Sequence, residues 1–143
     1  MHTDISARGE LLITLWLASE RLSARADHSL GAVHGIACVE FMVLYQLALA
    51  PAQGIRRIDL ARAVGRSASG VTRLLRPMEK IGLVRRGHSE RDARVSLVAL
   101  TDAGRLKLDE SLATVDRMAQ QSTRALSGAD IRRAATSLEA LTE

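Results

Sequence analysis

The 143-residue chain has one cysteine, two prolines and three aromatic residues, one each of Trp, Tyr and Phe. The lone Cys38 excludes an internal disulfide framework, and the amino terminus lacks the basic-then-apolar order of a signal peptide, so the cytoplasm is the expected compartment. The longest apolar run, Ile36 to Ala50, carries Glu40 and Gln46 and is too short to cross a bilayer; no membrane partner is expected. There is no nucleophile elbow and no phosphate-cradling glycine loop. His2, His28, His34 and His88 lack the spacing of paired metal ligands. These absences argue against an enzyme, a cofactor or a bound metal. Repeats and low-complexity linkers are absent too.

What is present is a globular composition, 47% apolar and 25% charged, long enough for one domain over residues 1–143 with a core of its own. The net charge of +4 is unevenly spread. Between Arg56 and Arg94 stand eleven Arg or Lys against Asp59, Glu79, Glu90 and Asp92, which makes that segment +7 and the remainder −3. A concentrated basic segment suits a phosphate-facing surface, but it needs a motif before it means more than a solvated face.

Periodicity supplies the motif. Leu12, Leu15, Ser19, Leu22 and Ala26 fall on one helical stripe, and the run Ile36 to Ala50, apolar nearly all round and ended by Pro51, reads as a buried central helix. Ile58, Leu60, Ala61 and Val64 predict a short helix stopping at Gly65. Ser67 then caps a second helix with Val71, Leu74, Leu75 and Met78 on its apolar stripe and Gly82 as its stop. Leu83–Gly87 and Arg94–Leu100 predict two strands of a charged hairpin, with Val95, Leu97 and Ala99 alternating against Ser96 and Val98. Thr101 caps a long helix with a stripe of Leu108, Leu112, Val115, Ala119 and Ser122. Ser127 and Asp130 form a capping box for a last helix carrying Ile131, Ala134, Ala135, Leu138 and Leu141.

Two helices joined at a tight glycine turn make a helix-turn-helix, the unit that lays its second helix in the major groove. Ala61 is small where the helices cross, and Val71 packs the second back on the first. The face left open begins at Arg66 with the small residues Ser67, Ser69 and Gly70, and continues with Thr72, Arg73 and Arg76, suited to base edges or phosphates. Pro77 removes one amide donor, so a bend is expected there, with consequences for Arg76 and Lys80.

The order helix, turn, helix, basic hairpin, together with the run Asp92, Arg94, Leu100, Thr101, Gly104 and the preceding Gly82-Leu83-Val84 with Arg86, resembles the MarR family of regulators over nearly the whole chain. The resemblance implies a mainly α fold with a small β-hairpin: a winged helix-turn-helix core at about 36–100, and N- and C-terminal dimerisation helices at about 6–27 and 101–142. It implies that Arg91 or Arg94 of the wing enters the minor groove, where a narrow groove attracts arginine, with Asp92 orienting it. Arg85, Arg86 and His88 are read as phosphate contacts or solvated. The partners it implies are double-stranded DNA, a second copy of the chain, and a small aromatic or phenolic effector. Trp16, His34 and Tyr45 are the candidates to line the effector pocket; the plainer reading puts Trp16 and Tyr45 in the core and His34 in a loop. Cys38, inside the apolar second helix, is expected to be buried and unactivated.

The functional expectation is a sequence-specific transcription regulator, a ligand-responsive repressor acting as a homodimer on a pseudo-palindromic operator. The alternative is a winged-helix protein-interaction module without specific DNA binding. Aromatic anchors would favour the alternative, and the wing offers arginines instead.

Overall fold

The computed structural model describes residues 5–142. Helix α1 runs Ala7–His34 and α2 Cys38–Leu49, the two meeting at 80°. They are followed by β1 (Ile55–Arg56), α3 (Arg57–Ala63), α4 (Ala68–Lys80), β2 (Val84–His88), β3 (Ser96–Leu100), α5 (Asp102–Ser122) and α6 (Gly128–Ala140). The strands form one antiparallel sheet in the order β1-β3-β2, with Ile55 opposite Val98 and Arg86 also opposite Val98. No single helix among the described residues is long and apolar enough to cross a membrane.

The core is aliphatic. Leu30 of α1, Val43, Leu44 and Leu47 of α2, Leu60 and Ala61 of α3, and Val71, Leu75 and Met78 of α4 are buried together with Val84 and Val98 of the sheet. Each such Leu or Val contributes about 1.5–3 kcal/mol by leaving water. Together they hold the helix-turn-helix against the hairpin.

Several expectations are corrected. α1 continues past Ala26 for two turns and stops at Gly35, and in the single chain Leu12 and Leu22 stay exposed while Ala26 and Leu30 are buried. The predicted alternation in β3 does not hold: Leu97, Val98 and Ala99 are all buried, because β3 is the central strand and α2 packs on it as well. The two-residue β1, which pairs with β3, was not predicted. Ile58 lies outside the core. The buried face of α5 is turned from the predicted stripe to Gly104, Leu108, Ser111 and Thr114, leaving Leu112 exposed. Small polar residues can sit on this face because their hydroxyls are satisfied: Ser111 Oγ donates to the Lys107 carbonyl at 2.7 Å, and Thr114 Oγ1 meets His34 Nε2 at 2.9 Å.

Candidate nucleic-acid interface

The turn between α3 and α4 is built by Gly65, whose φ of 63° is a left-handed conformation that a side chain would resist. Arg66 N–H then donates to the Ala61 carbonyl at 2.9 Å, closing the turn. Ser67 caps α4 as expected: its Oγ accepts from Gly70 N–H at 3.1 Å, with Ser69 Oγ 3.3 Å away. α4 buries Val71, Leu75 and Met78, with Leu74 partly buried beside them, and turns Ser69, Arg73, Arg76 and Lys80 to solvent. Gly70 and Thr72 are half-buried at the border. Pro77 lies in the last turn, and α4 runs through it to Lys80, so Arg76 keeps its place on the helical face.

The wing tip is organised by its own side chains. Asp92 Oδ1 accepts from the backbone N–H of Arg94 at 2.9 Å, Asp92 O from Val95 N–H at 3.0 Å, and Ser89 Oγ from Arg91 N–H at 3.2 Å. Asp92 thus holds the backbone at Arg94 rather than its guanidinium, in the manner of an Asx turn. Both guanidiniums, of Arg91 and Arg94, project into solvent without an acidic partner among the described residues.

Arg56 and Arg62 share Asp59, and Arg86 lies 3.0 Å from Glu79, whereas Arg66, Arg73, Arg76, Arg91 and Arg94 are exposed and make no ion pair among the described residues. The Arg56 guanidinium holds the Asp59 carboxyl below the usual carboxylate range. Arg86 and Arg85, read from sequence as phosphate contacts or solvated, are engaged with the protein: Arg86 on Glu79, and Arg85 Nη2 on the Ala52 carbonyl at 3.2 Å. Glu79 was missed because its partner lies seven residues away across the Gly82 turn, where no helical spacing signals a pair.

The candidate effector residues are not brought together in one chain. Trp16 is 63% exposed on the free half of α1 and Tyr45 is exposed on α2, stacked at 6.3 Å on Phe41, so neither is core. His34 is the last residue of α1, not a loop residue, and is bonded to Thr114. The five principal clefts among the described residues are lined by other side chains. Cys38 opens α2 half-buried, its N–H donating to Asp27 Oδ1 at 2.7 Å. Burial first, and then the Asp27 charge, push its thiol pKa up, which makes it a poor nucleophile. No group of three or more potential metal ligands occurs among the described residues, and His2 lies outside them.

A capped helix set on a glycine turn and flanked by a basic antiparallel hairpin defines a winged helix-turn-helix fold. Residues 38–96, which carry the helix-turn-helix and most of the wing, match the model of the MarR family. On that segment the chain resembles the MarR family of transcriptional regulators. An uncharacterised HTH-type transcriptional regulator of Bacillus subtilis strain 168, YdgJ, is 34% identical over 70 residues, 49% of this chain; the match spans only 43% of that relative's length. Sco3205, a MarR-family regulator from Streptomyces coelicolor solved in complex with DNA, superposes with a TM-score of 0.84 at 23% identity over 97% of this chain and 92% of its own. CouR from Rhodococcus jostii RHA1, solved with p-coumaroyl-CoA bound, superposes with a TM-score of 0.82 at 22% identity over 96% and 94%. At these identities the two structures establish the shared fold.

Proposed function

We propose that the chain binds duplex DNA sequence-specifically as a homodimer and regulates transcription, as a ligand-responsive repressor on a pseudo-palindromic operator. The observation that carries this reading is the exposure of Arg66, Arg73, Arg76, Arg91 and Arg94 without an ion pair among the described residues, on the helix-turn-helix and wing tip. Arg56, Arg62 and Arg86 lie beside acids, while these five, at the turn before α4, on α4 and at the wing tip, are exposed and have none within ion-pair distance among the described residues. α4 supplies small residues at its start for close approach and arginines for guanine edges or phosphates, and the wing supplies Arg91 or Arg94 to the minor groove. The DNA complex of Sco3205 supports the same use of the same fold.

Dimerisation is supported by the apolar surface at both ends of the chain. Leu11, Ile13, Trp16 and Leu17 of α1 are exposed, as are Ile131 and Leu138 of α6, a helix with no buried residue. Such stripes are stable once another copy covers them, and two-fold symmetry then sets half-sites about one helical turn apart. A small aromatic or phenolic effector is supported by the ligand of CouR. If Trp16, His34 and Tyr45 serve it, the second subunit completes the walls. The decisive experiment is a salt titration of the purified protein on the DNA flanking its own gene against random duplex, with and without phenolic acids. Specific binding that weakens with salt is expected. Equal affinity for random duplex at low salt would move the function to protein interaction.

A further inference from the structure

Arg66 stands one residue before the cap of α4, in the turn that leads into the DNA-facing helix, and borders Val39 at the start of α2. Two small clefts meet at its side chain. One, of about 110 Å3, is shared with Ser23 and Asp27 of α1 and Cys38 of α2, and the other with Gly70 and Leu74 of α4. Among the side chains that line the two, Asp27 is the one carboxylate.

Asp27 is fixed from the other side. Its Oδ1 accepts from Cys38 N–H at 2.7 Å, one of the first amides of α2, which have no partner within their own helix. Its second oxygen enters no hydrogen bond or ion pair among the described residues, and the Arg66 guanidinium stands beyond 4.0 Å from the carboxylate. Burial raises the Cys38 thiol pKa most; of the charges around it, Asp27 raises it further and Arg66 lowers it, so opposite charges flank one sulfur. The carboxylate is thus anchored at the α1–α2 junction and faces the cation across a narrow gap without clasping it. Such a separation attracts Arg66 and leaves it free to exchange Asp27 for another anion. We propose that Asp27 is a positioning residue for DNA binding: it draws Arg66 toward the α1–α2 junction in the free protein and competes with a DNA phosphate for it, which lowers operator affinity. The inference rests on the reading of Arg66 as a DNA contact. Arg73, Arg76, Arg91 and Arg94 do not line the cleft that Asp27 shares with Arg66.

The test is fluorescence anisotropy of the full chain on the DNA flanking its own gene, at several salt concentrations. Asp27→Asn keeps an oxygen for Cys38 N–H and removes the charge. It should tighten binding about threefold at low salt, the size of effect that an exposed charge pair gives, and the gain should fade as salt rises. In an Arg66→Gln background the same change should gain nothing, and in Arg66→Lys, which keeps a cation, the gain should return. Ser23→Asp adds a second carboxylate to the cleft, one helical turn from Asp27, and should weaken binding about as much, again without effect in Arg66→Gln. Thermal unfolding checks that each variant folds; should Asp27→Asn fail, Ser23→Asp carries the test. An equal gain in the Arg66→Gln background would reduce Asp27 to general repulsion of DNA, and no gain at all would reduce it to a cap for α2. Either result overturns the inference and leaves the proposed function standing. A wild type with no preference for this DNA over random duplex overturns both.

Discussion

Arg86 Nε on β2 sits 3.0 Å from Glu79 Oε1 on α4, so the first strand of the wing is tied to the last turn of the helix it flanks. Arg86 is 65% exposed and Glu79 33%, which places the pair among surface ion pairs, worth about 0–1 kcal/mol after screening. Glu79→Gln should therefore cost no more than about 1 kcal/mol in urea unfolding. A loss several times larger would show that the pair is a structural clamp.

Arg94→Ala should weaken operator binding roughly tenfold or more, as expected of an arginine that reaches the groove. Dimerisation and melting temperature should stay nearly unchanged, because the side chain is exposed and unpaired among the described residues. Asp92→Ala should give a smaller loss, since it removes only the bond to the Arg94 backbone. Fluorescence anisotropy on the operator reads both, and unchanged affinity in Arg94→Ala would take the wing out of recognition.

Gly104→Ala should destabilise the fold by about 1–3 kcal/mol through overpacking. A Cβ there would overlap the Leu83 carbonyl, which is backbone leading into β2 and cannot yield without shifting it, and would also press on the end of the Leu100 side chain. Chemical denaturation measures it, and a neutral result would mean that α5 can slide on the sheet.

Asp130 accepts from Ser127 Oγ–H and N–H and faces Arg133, bonds that hold its carboxyl below its ordinary value of 3.8. A depressed folded-state pKa gives stability that is present above the unfolded value and lost as pH falls through the folded one. Wild type should thus exceed Asp130→Asn in stability at neutral pH, with the gap closing below the ordinary carboxylate range. A gap that stays constant down to strong acid would mean that the loss comes from packing.

Cys38 should react with alkylating reagents more slowly at neutral pH than an exposed thiol, because burial and Asp27 disfavour the thiolate. Cys38→Ser and peroxide treatment should both leave operator affinity unchanged. Loss of binding on mild oxidation would make this cysteine a sensor.

The elements legible in the sequence are those set by local chemistry. Ser67, Thr101 and Ser127 each cap the helix they precede, because a hydroxyl one residue before a helix finds the amide three residues on without help from elsewhere. The Gly65 turn is local in the same sense. What escaped is set by distant partners. β1 is a strand only because Ile55 and Arg56 meet Val98 and Leu97, and the buried face of α5 is chosen by α1, which accepts Ser111 and Thr114 where a count of leucines would not look. The arginines of the proposed interface were legible individually. Which of them acids neutralise was not, because Glu79 and Arg86 come together only when α4 and β2 pack.

Thr101 N–H donates to the Leu83 carbonyl, its Oγ1–H is shared between the Gly82 and Leu83 carbonyls at 2.5 and 3.0 Å, and its Oγ1 accepts from Gly104 N–H at 3.0 Å. The end of β3, the start of β2 and the first turn of α5 are thereby bolted at one point, with no slack residue between the wing and the helix that leads away from it. The arrangement works as a crank. A small rotation of α5 is delivered undiminished to the wing tip, so in a two-fold assembly the gap between the paired wings is fixed by how the long helices lie, and a ligand that alters their pose changes that gap without touching DNA-facing side chains.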